Sequence, residues 1–140
     1  MARTVREVMT SDPVTLPPSA TLVEAALAMR GAGTGDVIVT QDGQARGIVT
    51  DRDIVIRGVA EGLDPSQATL ADIASEQLVC VTPGQGLDDA ARLMRELAVR
   101  RLPVVDEEDQ VVGIVSLGDL AIEQDTDSAL ADISSVPPSQ

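Results

Sequence analysis

The sequence predicts an α/β fold, α+β in layout. It has two copies of one β-α-β-β-α unit related by a pseudo-twofold, with small mixed sheets packed against helices. Three observations predict it. The hydrophobic pattern of residues 5–40 returns over residues 70–105 at an offset of 65, and after one extra residue the offset becomes 66. Short Val/Ile runs flank turn signals, as strands do. Between them lie segments with apolar residues at i, i+3, i+4 and i+7, the spacing of one helix face. A duplicated unit in a short chain suggests sites between its halves. The copies are expected over residues 3–62 and 63–123. An acidic, Ser- and Pro-containing tail over residues 124–140 is expected to be partly disordered.

Each copy opens on a short helix, with a Thr at N-cap and an acid three residues on: Thr4 with Glu7, Thr69 with Asp72. A strand follows, over 14–16 and 79–81, stopped by Pro17-Pro18 and by Pro83-Gly84. The next helix begins at the capping box Thr21–Glu24, buries Leu22, Ala25, Ala26 and Met29, and ends at Gly31-Ala32-Gly33. Its second copy keeps Leu87, Ala90, Ala91 and Met94, with Gly86 at the cap. A hairpin then runs over 37–40 and 45–49 around Asp42-Gly43, a strong turn signal. In the second copy 102–105 and 111–115 flank the acidic loop Asp106–Asp109, which absorbs the extra residue. Each copy closes on a helix starting at Thr50 or Ser116. The first is expected over 51–60, with Ile54, Val55 and Val59 as its apolar positions, before the break Gly62-Leu63-Asp64-Pro65. Residues 128–133 are expected to form at most a helical turn, and residues 134–140 to fray.

The composition excludes several kinds of chemistry. The chain has 140 residues and lacks Lys, Asn, His, Phe, Tyr and Trp. It therefore has no imidazole for acid–base or metal work and no lysine for a Schiff base. No aromatic ring can stack on a base. Cys80, the single cysteine, permits no internal disulfide and reads as a small buried strand residue. A net charge of −13 disfavours nucleic acid and anionic membrane, and no apolar run approaches the ~20 residues that span a bilayer. The N-terminus carries no apolar signal segment, so a cytoplasmic location is expected.

One stretch recurs where a strand turns into a helix: Gly47-Ile48-Val49-Thr50-Asp51-Arg52-Asp53-Ile54 and Gly113-Ile114-Val115-Ser116-Leu117-Gly118-Asp119-Leu120. Thr50 with Asp53 and Ser116 with Asp119 are capping boxes, and a cap alone would explain them. The same geometry suits a nucleotide. A helix N-terminus favours phosphate, a hydroxyl beside it donates to phosphate, and a carboxylate one turn in accepts from a ribose.

At these residues the chain resembles a tandem pair of CBS (cystathionine-β-synthase) domains, the Bateman module. Val99-Arg100-Arg101-Leu102-Pro103-Val104-Val105-Asp106 resembles another signature of that family. The resemblance spans roughly residues 3–123. It implies β-α-β-β-α CBS repeats, an adenine nucleotide (AMP, ADP or ATP) or S-adenosylmethionine as ligand, and a homodimer. It implies no required cofactor. Carried over, one cleft would use Thr50 and Asp53 with Leu78, Val79, Arg100, Arg101 and Pro103. A weaker second cleft would use Ser116 and Asp119 with Pro13, Val14, Gly35, Asp36 and Ile38. Asp36 falls where the first cleft has Arg101. A carboxylate repels phosphate and arginine attracts it, so the Asp53/Arg101 cleft is expected to be the occupied one. Arg100 and Arg101 could equally pair with the acidic loop.

Two functions follow as expectations. The first is a non-enzymatic adenine-nucleotide-binding regulatory or stress-response module, its surface read by an unknown protein partner. The second is a ligand-independent scaffold in which both carboxylates are caps only. Catalysis is not expected: without His, Lys, Tyr or a paired Cys the usual general bases and metal ligands are nearly absent, and the carboxylates that remain form no spaced pair in an evident pocket motif.

Overall fold

The computed structural model describes residues 3–74 and 78–124, so the expectations for the tail beyond residue 124 lie outside the described residues. The elements are α1 (Val5–Val8), β1 (Thr10–Ser11), β2 (Thr15–Leu16), α2 (Leu22–Ala32), β3 (Asp36–Gln41), β4 (Gln44–Thr50), α3 (Asp51–Asp53), a π-helical turn (Ile54–Val59), α4 (Leu70–Ile73), α5 (Leu87–Leu97), β5 (Arg101–Val105), β6 (Val111–Ser116) and α6 (Leu117–Gln124). The fold is mixed α/β, with helices packed on two small sheets.

The chain forms two compact units, cut at 11/12 and 79/80 rather than at the sequence period of 62/63. The α2 unit holds residues 12–74, 78–79 and 108–111, and the α5 unit holds the rest. The leading helices change sides. α1, from the first copy, packs into the α5 unit, and α4, from the second copy, packs into the α2 unit.

In the α2 unit, β2 runs parallel to β3 (Thr15 beside Ile38), and β3 and β4 form an antiparallel hairpin with Asp36 beside Thr50. The sheet is therefore mixed. Asp42 and Gly43 turn the hairpin with φ of 56° and 81°, the left-handed pair that matches strand twist. The Gln110 side chain occupies the space a Cβ at Gly43 would need. Thr21 caps α2 by accepting the Glu24 N–H at 3.1 Å, and Gly33 ends it at φ 68°. Leu22 N–H donates to Ala68 O and Leu70 N–H to Ala20 O, which ties the starts of α2 and α4 together. Leu22, Ala25, Met29, Val37, Val39, Val49, Leu70 and Ile73 form the core. Ala26 is exposed, contrary to expectation, because the buried stripe of α2 follows Leu22, Ala25 and Met29 only.

In the α5 unit the sheet order is β1-β6-β5. The sequence reading missed β1, which is two residues long and carries no apolar alternation. Gly113 lets it approach: a Cβ there would stand 2.9 Å from Thr10 O and 2.7 Å from Met9 Sδ. The strand expected over 79–81 shrinks to a single parallel bridge, Val81 beside Val104. The core is Val5, Val81, Leu87, Ala90, Ala91, Met94, Leu102, Val104, Val115 and Leu120. Cys80 is half-buried rather than buried.

The helix after Thr50 departs most from expectation. One α turn gives way to π geometry, with Ala60 N–H donating to Val55 O at 2.8 Å. Val55 and Val59, two of the apolar positions expected in this helix, are 53% and 58% exposed. Ile54 is half-buried, and the residue that packs inward is Gly58, against Leu22. The segment closes at Gly62 (φ 78°), with Gly62 N–H to Val59 O and Leu63 N–H to Gly58 O, a Schellman end.

Candidate ligand-binding steps

The two strand-to-helix steps are built alike. Thr50 ends β4, and its backbone N–H donates to Asp53 Oδ2 at 2.9 Å while Asp53 N–H donates to Thr50 Oγ1 at 3.1 Å. Ser116 ends β6, and the matching distances are 3.0 Å to Asp119 Oδ2 and 3.1 Å to Ser116 Oγ. Each capping box fixes a hydroxyl and a carboxylate at the mouth of a helix. Capping does not exhaust either group. A hydroxyl that accepts through a lone pair still has its proton to donate, and a carboxylate accepting at Oδ2 still has Oδ1. Thr50, Asp53, Ser116 and Asp119 are all half-buried.

Each step is also pinned to the strand beside it. Asp51 N–H donates to Gly35 O at 2.9 Å, and Leu117 N–H donates to Arg100 O at 2.8 Å. These are equivalent positions of the two copies, and the sequence reading did not connect them. The repeat offset was the available signal, since 35 and 100 differ by 65 and 51 and 117 by 66.

The residues expected around the two clefts distribute between the units. The α2 unit holds Thr50 and Asp53 together with Pro13, Val14, Gly35, Asp36, Ile38, Leu78 and Val79. The α5 unit holds Ser116 and Asp119 together with Arg100, Arg101 and Pro103. Asp36 is the register partner of Thr50 on the hairpin, and it is a buried carboxylate, 9% exposed. Ile38 and Pro103 are fully buried. Pro13, Val14, Gly35, Leu78 and Arg101 are half-buried, while Val79 and Arg100 are exposed. Asp36 and Arg101 are both engaged by partners.

Among the described residues, no cluster of three His, Cys, Asp or Glu side chains could hold a metal ion. No helix among the described residues is long and apolar enough to cross a membrane.

The profile of the CBS domain matches this chain twice, over residues 5–58 and 70–124. The CBS domain-containing protein YhcV of Bacillus subtilis is 40% identical over 134 residues, which covers 93% of this chain and 94% of YhcV. The crystal structure of Hypoxic Response Protein I, solved with two coordinated zinc ions, superposes with a TM-score of 0.76. It is 35% identical in sequence and covers 86% of this chain and 98% of its own. The CBS domain pair of protein MJ0100, solved in complex with 5′-methylthioadenosine and S-adenosyl-L-methionine, has a TM-score of 0.82 at 22% identity. The match covers 91% of this chain and all of that one, and it is a likeness of fold.

Proposed function

The chain belongs to the CBS-domain family, and from that premise we propose that it is a non-enzymatic regulatory module of the cytoplasm that binds an adenine nucleoside or nucleotide at its hydroxyl–carboxylate steps. The observation that carries the reading is the pair of matched capping boxes, Thr50 with Asp53 and Ser116 with Asp119. A sugar diol accepted by the carboxylate and a polar substituent met by the hydroxyl make up the ribose end of such a ligand. Leu78, Val79, Arg100, Arg101 and Pro103 are proposed to complete recognition around Thr50 and Asp53. Pro13, Val14, Gly35, Asp36 and Ile38 are proposed to do so around Ser116 and Asp119. The adenosyl ligands held by the MJ0100 pair support this ligand class.

The zinc ions of Hypoxic Response Protein I are not carried over. This chain has no histidine and one cysteine, so soft metal ligands are scarce. A homodimer is part of the proposal. Val55, Ile56 and Val59 are 50–58% exposed on one helical segment, and Val23 and Leu27 on α2 are exposed as well. Light scattering is expected to give twice the chain mass, and Val59→Glu to halve it.

A thermal melt with adenosine, AMP, ATP and S-adenosylmethionine tests the binding reading. A ligand at 100 times its dissociation constant adds ~2.7 kcal/mol of stability, a rise of several degrees. A second reading, the ligand-independent scaffold, is favoured by one observation: both carboxylates already serve their own helix. No shift with any of the four ligands would select it.

A further inference from the structure

We infer that Arg57 is a positioning residue of the Thr50 step. From the π-helical turn its guanidinium holds the last carbonyl of α4, and so fixes where the chain that leads to Leu78 and Val79 leaves that helix. The inference rests on the adenylate reading above and adds to it a residue that touches no ligand.

The bond runs from Arg57 Nη1 to Ile73 O, is 3.1 Å long and is partly shielded from water. Ile73 ends α4, a helix of four residues. The last carbonyls of a helix have no partner within it, and an arginine there meets both a bare oxygen and the negative end of the helix dipole. Ala74 N–H closes the helix on Leu70 O at 2.8 Å, and Arg57 takes up Ile73 O beyond it. At Ala74 the backbone turns extended (φ −68°, ψ 145°). The held carbonyl is thus the last one before the chain departs toward Leu78, five residues on.

The π geometry aims the arginine. Within Ile54–Val59, Gly58 packs against Leu22 and Arg57 beside it reaches Ile73, while Val55, Ile56 and Val59 stand 50–58% exposed. Turns of this kind are rare and recur at functional sites. This one starts at the residue after Asp53, the carboxylate of the step. Asp53 and Arg57 share one helical segment, and Ile73 and Leu78 share one connection. The guanidinium joins the two inside the α2 unit, which also holds Thr50 and Val79.

The other copy has no such clamp. At the repeat offsets Arg57 falls on Glu123 and Ile73 on Val8. An ionised carboxylate has no proton to give a carbonyl, and α6 is α-helical from Leu117 to Gln124. Positioning by this route is therefore confined to the Thr50 step. A site whose apolar residues are held before the ligand arrives loses less affinity to ordering. When the binding-competent arrangement is only partly populated, the apparent affinity falls by that fraction. Because Arg57 is spent on a backbone oxygen, its loss acts on charged and uncharged ligands alike.

The test is a nitrogen-15 NMR titration of the full chain with adenosine and, separately, with AMP, read at the Gly47, Leu78 and Val79 amides. Arg57→Met keeps an apolar stem and removes the donor. It is expected to weaken both ligands by about fivefold, as when about a fifth of the molecules remain competent. Arg57→Lys keeps a charge and a donor and is expected to recover most of the loss. In the free protein the Leu78 and Val79 amides are expected to shift in Arg57→Met and not in Arg57→Lys. Arg57 is an exposed residue, and an otherwise unchanged spectrum verifies the fold. Full affinity in Arg57→Met overturns the inference while the adenylate reading stands. Equal weakening in both variants also overturns it, since the bond to Ile73 O would then not be the cause. A loss confined to AMP overturns it too, because the guanidinium would then be acting on the phosphate. If wild type binds neither ligand, the adenylate reading falls and the inference falls with it.

Discussion

Gly58 of the π-helical turn lies against Leu22 of α2 so closely that a Cβ on it would stand 2.7 Å from Leu22 Cδ1. Leu22 is fully buried in its core, and protein cores are close-packed. Alanine is the better helix former by ~1 kcal/mol, so propensity alone would favour Gly58→Ala. Overpacking outweighs it. Gly58→Ala is expected to destabilise the chain by about 1–3 kcal/mol, read as a lower midpoint in urea at unchanged slope.

The two long helices end differently, and the difference is testable. Gly33 ends α2 at φ 68°, while its repeat partner Ala98 ends α5 at φ 56°. Only glycine takes that conformation without steric penalty. Ala98→Gly is expected to raise stability by about 0.5–1 kcal/mol, and Gly33→Ala to lower it by about 1 kcal/mol. A Cβ on Gly33 would meet nothing within 4 Å, so the loss there is backbone strain and not a clash. Shifts of opposite sign in melting temperature would verify this; a stabilised Gly33→Ala would contradict it.

The capping boxes separate the two proposed functions. Asp53→Ala removes the acceptor of the Thr50 N–H and is expected to lower stability by about 1 kcal/mol whether or not a ligand binds. If the carboxylate also grips a ribose, the stabilisation by adenosine seen in wild type shrinks in this variant. The ligand-induced shift, compared between the two proteins, therefore distinguishes a cap from a cap that binds.

A short turn gives the pH prediction. The Asp64 carboxylate accepts from Ser66 Oγ at 2.7 Å and from Ser66 N–H at 3.0 Å, and these bonds hold its pKa below the ordinary value of 3.8. A depressed pKa contributes stability that is complete above the ordinary carboxylate range. That stability is lost as pH falls through the folded-state value. Ser66→Ala removes the hydroxyl donor, so the Asp64 pKa is expected to rise toward ordinary. Carboxyl carbon-13 titration of the two proteins reads this directly; identical midpoints would count against it.

Much of the fold was legible because it is written in short-range chemistry. Thr21 with Glu24, and Gly33 after them, bracket α2 by rules that act within a few residues, and Asp42-Gly43 specifies its own hairpin. Long-range pairing was not legible. β1 exists because Gly113 admits Thr10 to the edge of β6, and nothing in Thr10-Ser11 itself announces a strand. The π-helical turn was not legible either. Its i→i+5 hydrogen bonds wind the chain more slowly than an α-helix does, and Val55 and Val59, apolar as they are, lie exposed.

For the candidate steps, the motifs and their caps were visible in the one-dimensional pattern. The strand residues beside them were not. The hairpin register sets Asp36 opposite Thr50, a pairing that the alignment of the copies does not give. A sequence repeat relates like with like. It does not say which members of each copy lie side by side.

The exchange of leading helices has a practical corollary. Val5 and Leu70 are both fully buried, each in the core built mainly from the other copy. A polypeptide severed in the linker at 62/63 would thus yield two fragments, each with a vacant socket and a plug that fits the opposite fragment. Neither half is self-sufficient, and mixing them should restore by complementation what expression of either one alone does not produce.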